Sequence, residues 1–465
     1  MSARIQKHLL TLDQLKAIKQ FLSLQPKSSS FTTPSFVKPP DPLLFYQLEH
    51  EDIILPFSFY RALTKKEPNI NRTYPGVSFN FTGSLRDEQL PIAQECLEQL
   101  QKHGTTTLVV PPGFGKTVIG AYLNSQLTLQ KSNKQPLALI LFHREILCPQ
   151  WISTYNDFTD AKLWVIGKKL PSEFNVILCM DSQFKNLPDE IRTKIGCLII
   201  DEAHAFCTRG HLTHWLSIEP QYIITLTATP ERDDGMHSIL EAVCGLHRVA
   251  RLSTKPFKVF RFPTGITPEK KLNNQGTLDW NYTTNQLCTN RLRNEYILGF
   301  VQDNPEFKIL ILTWRQAHAF TLHQYLIEHK ISAAVMAGNR HTYSDSRVLV
   351  GTIAKIGTGF DEKTACSDFA GQRINLLLLV GSTKSDKVIE QTVGRVFRSD
   401  SPHVVVFVDN VPAIKRHWSI FKKWAVTRNA TVFDLKNPSA YEPEEVSTSI
   451  IEKLAQAQLA SLNKS

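Results

Sequence analysis

The sequence predicts an α/β protein: two tandem parallel-sheet domains preceded by a small N-terminal accessory region. Three observations predict it. Apolar runs of about 4–8 residues recur in two series along the chain, separated by helix-length segments, which is how strands read when a parallel sheet is covered on both faces. Two segments suited to phosphate chemistry, VPPGFGKT at 110–117 and QTVGRVFR at 391–398, fall in different series. The length of 465 residues accommodates about three units at ~150 residues each.

The elements follow in order. Residues 1–84 form the accessory region and are the least regular part. A short helix is expected over 10–22. QPKSSSFTTPSFVKPPDP (25–42) then reads as an exposed linker from its Pro and Ser content. LLFYQLEHEDIILPFSFYRAL (43–63) supplies aromatic and β-branched residues able to pack as a small domain or a flap on the next one. The first α/β domain spans 85–250. Its strands are TTLVVPP (106–112), LALILFH (137–143), VILCM (176–180), CLIID (197–201) and YIITLTAT (222–229), with a helix from Lys116 to about 130 after the glycine loop. Residues 251–290 read as a connection with some strand content in FKVFRF (257–262). The second domain, 291–440, holds strands KILILTW (308–314), SAAVMAG (332–338), VLVGT (348–352), RINLLLLVG (373–381) and VVVFVDN (404–410), with helices over 316–330 and around 385–397. The tail, 441–465, carries the amphipathic stretch STSIIEKLAQAQLASL and is expected to be helical. No repeat of short period appears, but the two series look like structural duplicates.

Composition excludes several classes. Hydrophobic residues at 42% and charged residues at 21% suit packed globular domains. No apolar run approaches the ~20 residues that span a bilayer, and MSARIQKHLLTLDQL has no apolar signal core. The expectation is an intracellular protein with no membrane partner and no secretion signal. The eight cysteines show no CxxC pair and no metal-ligand spacing, so they read as reduced thiols. A net charge of +10 favours a polyanionic partner, although solubility alone would account for as much.

The chemistry concentrates in three places. In VPPGFGKT, Gly113 and Gly115 let backbone N–H groups turn toward phosphates, Lys116 reaches the β- and γ-oxygens, and the Thr117 hydroxyl is placed for Mg²⁺. The strict eight-residue pattern begins with Gly, and Val110 stands there instead. In LIIDEAHAF (198–206), two carboxylates follow an apolar strand, at the edge where α/β sheets place ligand chemistry. Asp201 would hold Mg²⁺ through its water shell and Glu202 would orient and activate the attacking water. His204 either contacts the next motif or caps the loop. Alone, a solvated acidic loop reads the same way; downstream of a phosphate loop it points to ATP hydrolysis. QTVGRVFR supplies arginines for the charge that develops on the transferred phosphoryl group. Because it lies in the second series, the expected ATPase site is split between domains, an arrangement that converts hydrolysis into domain motion.

The ordered set GFGKT, DEAH, TAT and QTVGRVFR is similar to that of superfamily 2 helicases and translocases of the DEAH-lettered, XPB-like type, over roughly residues 81–410. The resemblance implies two RecA-like domains, ATP and Mg²⁺ as cofactors, and DNA (duplex or single strand) or RNA as partner. It also implies residue roles. LRDEQ (85–89) resembles the adenine-reading segment, with Gln89 at the base and Arg86 near the nucleotide. HREILCPQW (143–151) resembles a strand-binding motif, implying nucleic-acid contacts from His143, Arg144, Gln150 and Trp151, and CMDSQF (179–184) stands at the next such position. LTATPERDDG (226–235) resembles the motif that links ATP state to strand grip through Thr227 and Thr229. Arg232, Asp233 and Asp234 stand where XPB-like proteins carry Arg-Glu-Asp, with Asp in place of Glu. VGTIAKIGTGFDE (350–362) resembles the motif that would put Thr352 at the nucleic-acid backbone and Gly359 and Asp361 near the nucleotide sugar and the hydrolysis site. Gln391, Arg395 and Arg398 would complete the catalytic set with Lys116, Asp201 and Glu202. One departure is at 339–347, which leaves little room for the helix usual before that motif. The wording AKIGTGFDE also resembles helicases of large DNA viruses and phages, implying a viral protein of host cytoplasm or virion.

Other conspicuous residues read as packing. Trp280, Trp314, Trp418 and Trp424 are able to stack on bases, yet tryptophans are more often core. His318 and His323 have no acidic residue three or four positions away. KRHWSIFKKW (415–424) mixes cations and aromatics at helical spacing, as a solvated helix face or a phosphate contact. Three functions compete. One is a DNA-dependent ATPase in transcription or repair, with RNA polymerase or other transcription and repair proteins as partners. The second is an RNA helicase. The third is an idle scaffold or polymerase-associated remodeller working through protein contacts; intact Lys116, Asp201, Glu202 and Arg398 argue against it.

Overall fold

The structure, a computed structural model, describes residues 1–25, 41–69, 71–129, 131–228, 230–232, 234–251, 255–340, 342–356, 360 and 362–435. Two compact units divide the chain, one built from Met1–Val110 and Phe114–Arg251, the other mainly from the chain after Leu252. The C-terminal amphipathic stretch expected to be helical lies outside the described residues.

In the N-terminal region, β1 (Ser2–Gln6) pairs antiparallel with a later strand. Helix α1 (Leu12–Phe21) starts where Thr11 and Gln14 form a reciprocal capping box. β2 (Gln47–Glu49) and β3 (Asp52–Pro56) complete a three-stranded sheet in the order β1-β3-β2. Ile18, Phe45, Ile53, Leu55 and Phe57 share one apolar core with Leu198, Ile200, Trp215 and Val243. The accessory region therefore extends the core of the first unit.

The first α/β sheet contains β4 (Thr105–Val109), β5 (Ala138–Phe142), β6 (Leu163–Val165), β7 (Val176–Met180), β8 (Cys197–Asp201), β9 (Tyr222–Thr227) and β10 (Val249–Ala250). Their order is β6-β7-β5-β8-β9-β4-β10, and every pair is parallel. Strands such as Ala138–Phe142 and Cys197–Asp201 are buried along their whole length, as a sheet with helices on both faces requires. All strands point one way, so the glycine loop, the His143 loop, Asp201 and Thr227 collect at one edge. Helices α2 (Lys116–Gln126) and α3 (Leu147–Phe158) begin there.

The second sheet contains β11 (Phe257–Pro263), β12 (Ile309–Thr313), β13 (Ala333–Met336), β14 (Val348–Thr352), β15 (Leu376–Leu379), β16 (His403–Val408) and β17 (Ala430–Asp434). The order is β13-β14-β12-β15-β16-β11-β17, again parallel throughout. Ranked along the chain, both sheets run third, fourth, second, fifth, sixth, first, seventh. The duplication expected from sequence is present. FKVFRF, expected in a connection, is the first strand of this second sheet. Its half-exposed Lys258 and Arg261 interrupt the apolar run that marks its neighbours.

Helix α4 (Gln316–Glu328) follows β12. No helix occurs among the described residues between β13 and β14, in keeping with the short 339–347 segment. The helix expected around 385–397 is α5 (Asp386–Val393), followed by a 3₁₀ turn at Val396–Arg398. Helix α6 (Pro412–Val426) buries Ile414, Trp418, Phe421 and Trp424 and exposes Lys415, Arg416, Lys422 and Lys423. The packing expectation holds for the tryptophans: Trp280 and Trp314 meet edge to face at 5.9 Å, and Trp424 Nε1 donates to Glu390 Oε2 at 2.9 Å.

Candidate active site

The glycine loop needs backbone that other residues rarely adopt. Gly113 has φ +84° and Gly115 φ +93°, the left-handed region open to glycine. A Cβ on Gly115 would lie 2.4 Å from Gln89 Nε2. Helix α2 begins at Lys116 directly after this turn, so its unpaired N–H groups and positive dipole end meet the loop, the usual setting for an anion. Side chains of LRDEQ fasten the loop from outside: Gln89 Nε2 donates to Phe114 O at 2.8 Å, Gln89 Oε1 accepts from Arg86 N at 3.0 Å, and the Arg86 guanidinium also donates to Phe114 O.

At the end of β8, Lys116 Nζ lies 3.8 Å from Glu202 Oε1. Asp201 is fixed at both oxygens, Oδ1 accepting from Glu202 N at 2.9 Å and Oδ2 from Trp151 Nε1 at 3.0 Å. Burial, then the adjacent Glu202 carboxylate, push the Asp201 carboxyl up to about 6, while Lys116 and the Trp151 N–H pull against that. A divalent cation would reverse the balance. Glu202 takes φ +49°, a conformation that costs a non-glycine residue about 1–3 kcal/mol and clusters at functional sites.

From Glu202 a polar chain runs on. His204 Nδ1 lies 3.4 Å from Glu202 Oε2 and 2.9 Å from Thr227 Oγ1. Arg232 Nη1 donates to His204 O at 2.8 Å and grips Asp234 with two bonds, 3.0 and 2.6 Å. The first unit thus brings together Gly115, Lys116, Thr117, Asp201 and Glu202, with His204, Thr227 and Arg232 behind them. A left-handed glycine cradle, a cation at a helix start and a buried carboxylate beside a second one fit a Mg²⁺-nucleoside triphosphate.

Several residues expected at nucleic acid are placed otherwise. Trp151 has 0% exposure and bonds Asp201, so it is a core residue beside the end of β8. Gln150 Nε2 donates to Thr117 Oγ1 at 3.0 Å and faces the same site. Thr227 is also fully buried, its hydroxyl on His204. Thr352 is buried, with its hydroxyl accepting from Lys355 N at 3.2 Å. In each case the side chain is hydrogen-bonded to a polar neighbour of its own unit. His143 and Arg144 remain half-buried at the strand edge, where Arg144 Nε donates to His143 Nε2 at 3.1 Å. Thr229, Asp233, Gly359 and Asp361 lie outside the described residues.

In the second unit, Gln391 and Arg395 are buried, and Arg395 Nη1 donates to Phe360 O. Arg398 is half-buried in its 3₁₀ turn. Lys255 holds that turn through its backbone, Nζ donating to Phe397 O at 3.2 Å and Ser399 O at 2.5 Å. Lys255 carries no sequence signal, because its partners are carbonyls that every residue type supplies.

The family model described as "Type III restriction enzyme, res subunit" matches residues 82–232. A protein of Invertebrate iridescent virus 6 that bears a provisional helicase name is 26% identical over 420 residues, covering 83% of this chain and 91% of its own length. A protein of Acanthamoeba polyphaga mimivirus, provisionally named an ATP-dependent RNA helicase, is 24% identical over 453 residues, 91% of this chain and 82% of its own. The DNA 3'-5' translocase XPB2 of Sulfurisphaera tokodaii is 26% identical over 213 residues, 44% of this chain and 46% of its own. Among solved structures, a Dbp5 variant of S. cerevisiae bound to RNA and ADP BeF3 superposes with TM-score 0.52 at 13% identity, covering 74% of this chain and 89% of that one. The ATP-dependent Type ISP restriction-modification enzyme LlaBIII bound to DNA gives 0.51 at 13% identity, covering 78% of this chain and 32% of that one. These two likenesses establish the tandem RecA-like fold.

Proposed function

Because the chain belongs to the superfamily 2 helicases of XPB-like type, related to those of large DNA viruses, we propose that it is a nucleic-acid-stimulated ATPase that moves along DNA. The observation that carries this is the cluster of Lys116, Thr117, Asp201 and Glu202 behind a glycine cradle, all on one edge of the first sheet. Mg²⁺, when bound, neutralises charge on the β- and γ-oxygens. Lys116 binds those oxygens, Thr117 and Asp201 hold the cation, and Glu202 orients the attacking water. Gln89 and Arg86, besides steadying the loop, lie on the base side. Arg398 supplies the charge that meets the transferred phosphoryl group, and Gln391 and Arg395 shape its turn; Gly359 and Asp361 are assigned to the nucleotide sugar and the hydrolysis site. His143, Arg144 and Arg232 contact the strand backbone, so binding is indifferent to sequence and weakens with salt. Domain closure on ATP and reopening after hydrolysis step the protein along its track.

The setting proposed is viral transcription or repair within the host cell, alongside RNA polymerase or other transcription and repair proteins. The likeness to a DNA translocase supports DNA as the track. The mimivirus relative's name supports RNA as a second reading. One experiment separates them: ATP turnover measured with duplex DNA, single-stranded DNA and RNA. Stimulation by duplex DNA is the expected result, stimulation by RNA alone would install the second reading, and no response to any polynucleotide would sink both.

A further inference from the structure

Gln150 and Trp151 of helix α3 were expected at nucleic acid, yet both are bonded to residues of the proposed phosphate site. Successive residues on a helix diverge by about 100°, so Gln150 and Trp151 reach different targets. Gln150 reaches the start of α2 and Trp151 reaches the end of β8. The targets, Thr117 and Asp201, are the two side chains assigned to Mg²⁺. Nothing in the family match or the relatives' names assigns either α3 residue a role. We propose that Gln150 and Trp151 are positioning residues that set the metal-binding geometry of Thr117 and Asp201. The proposal rests on the ATP and Mg²⁺ reading above and deepens it.

The geometry is specific at both points. An indole N–H is donor-only, and in a side chain with 0% exposure it needs an acceptor; it has Asp201 Oδ2 at 3.0 Å. With Glu202 N on Oδ1 at 2.9 Å, the carboxylate is pinned at both ends. The terminal torsion of an aspartate is otherwise broad, and pinning removes that freedom while leaving each oxygen a lone pair. Gly120 of α2 makes room for the indole: a Cβ there would lie 3.1 Å from Trp151 Cη2. Gln150 Nε2, at 3.0 Å, occupies one lone pair of the Thr117 hydroxyl and leaves the other for a cation. Outer-shell partners of this kind usually carry about 10–100-fold in metal affinity.

The test measures binding of a fluorescent, non-hydrolysed ATP analogue to the full chain as Mg²⁺ is titrated. Trp151→Phe keeps the ring packing and loses the donor. It should raise the half-saturating Mg²⁺ by about tenfold while leaving analogue affinity without Mg²⁺ unchanged. Gln150→Leu, at a half-exposed position, should shift it in the same direction by about fivefold, the size of one net hydrogen bond. If Trp151→Phe does not fold, Gln150→Leu decides. Wild-type Mg²⁺ dependence in folded variants overturns the proposal and leaves the ATP reading standing. A wild-type protein whose analogue binding ignores Mg²⁺ would overturn both.

Discussion

Two strand ends at the same rank in the two sheets are finished in opposite ways. β4 runs into a loop whose glycines take φ +84° and +93° and which delivers Lys116 to the sheet edge. β11, its counterpart, runs into Thr264, whose hydroxyl donates to Asp409 Oδ1 at 2.7 Å. The same oxygen takes Arg293 Nε at 2.9 Å, with both charged side chains at 0% exposure. Arg293 also donates to Val380 O at 2.5 Å and lies over the Trp314 ring. The first sheet's cation lies 3.8 Å from the Glu202 carboxylate at a partly open edge, whereas the second's is bonded at 2.9 Å to a fully buried carboxylate. One topology thus carries an open glycine loop at this edge in one copy and a closed, self-neutralised pair in the other, and the difference resides in the segments that join the strands rather than in the strands themselves.

The widest contrast to break is at the open loop. Lys116→Ala should abolish ATP turnover while leaving the melting temperature near wild type, because the lysine serves a ligand rather than the fold. Residual wild-type turnover in a preparation free of other ATPases would remove the loop from the mechanism. Glu202→Gln should still bind nucleotide and hydrolyse it very slowly. Next in size, Arg398→Ala should leave nucleotide binding intact and cut hydrolysis by about 10³-fold, the scale of an arginine finger, or ~4 kcal/mol of barrier. Unchanged turnover would mean that the second unit adds nothing to the chemistry.

Much of this was legible in the sequence, for reasons that differ by residue. Val176–Met180 and Cys197–Asp201 are strands with the bounds expected, because fully buried parallel strands are unbroken apolar runs. The phosphate loop was legible because glycines with positive φ, a lysine and a hydroxyl must be adjacent in the chain. Trp151 was misread because its partner, Asp201, is 50 residues away, and no local pattern reports a long-range hydrogen bond. Lys255 was missed for the same reason. FKVFRF was placed outside the sheet because two cations alternate with its aromatics. The Arg293–Asp409 pair was silent as well: a fully buried ion pair looks like two surface charges until the fold joins them.

That pair gives a prediction about stability rather than turnover. Asp409→Ala strands a buried guanidinium without its carboxylate, and breaking a buried pair from one side costs about 3–5 kcal/mol. Denaturant unfolding should show the second unit's transition moving to lower denaturant, with nucleotide binding by the first unit retained below it. Coincident loss of both would mean that the two units unfold as one, and the contrast between an open and a closed edge would lose its independence.

The smallest effect tests how the closed copy handles a histidine. Next to the end of the first sheet's second strand, His143 stays half-buried at the edge. After the second sheet's second strand, His318 in the first turn of α4 is buried, its Nδ1 accepting from the Thr313 hydroxyl at 2.5 Å and its Nε2 donating to Asn294 Oδ1 at 2.9 Å. A neutral ring satisfies both bonds. Burial, aided by the nearby Arg293, lowers its pKa from 6.5 to about 3. The folded-state value therefore lies below that of the unfolded chain, which takes up the proton first as pH falls. The stabilisation is complete above about pH 6.5 and is lost between there and about pH 3, at no more than ~1.4 kcal/mol per unit. Carboxylates titrate over part of the same range, so the measurement is the stability difference between wild type and His318→Asn. That difference should favour wild type at pH 7.5 and shrink steadily toward pH 4.5. A difference that stays constant across the range would show that the ring is not held neutral in the folded protein.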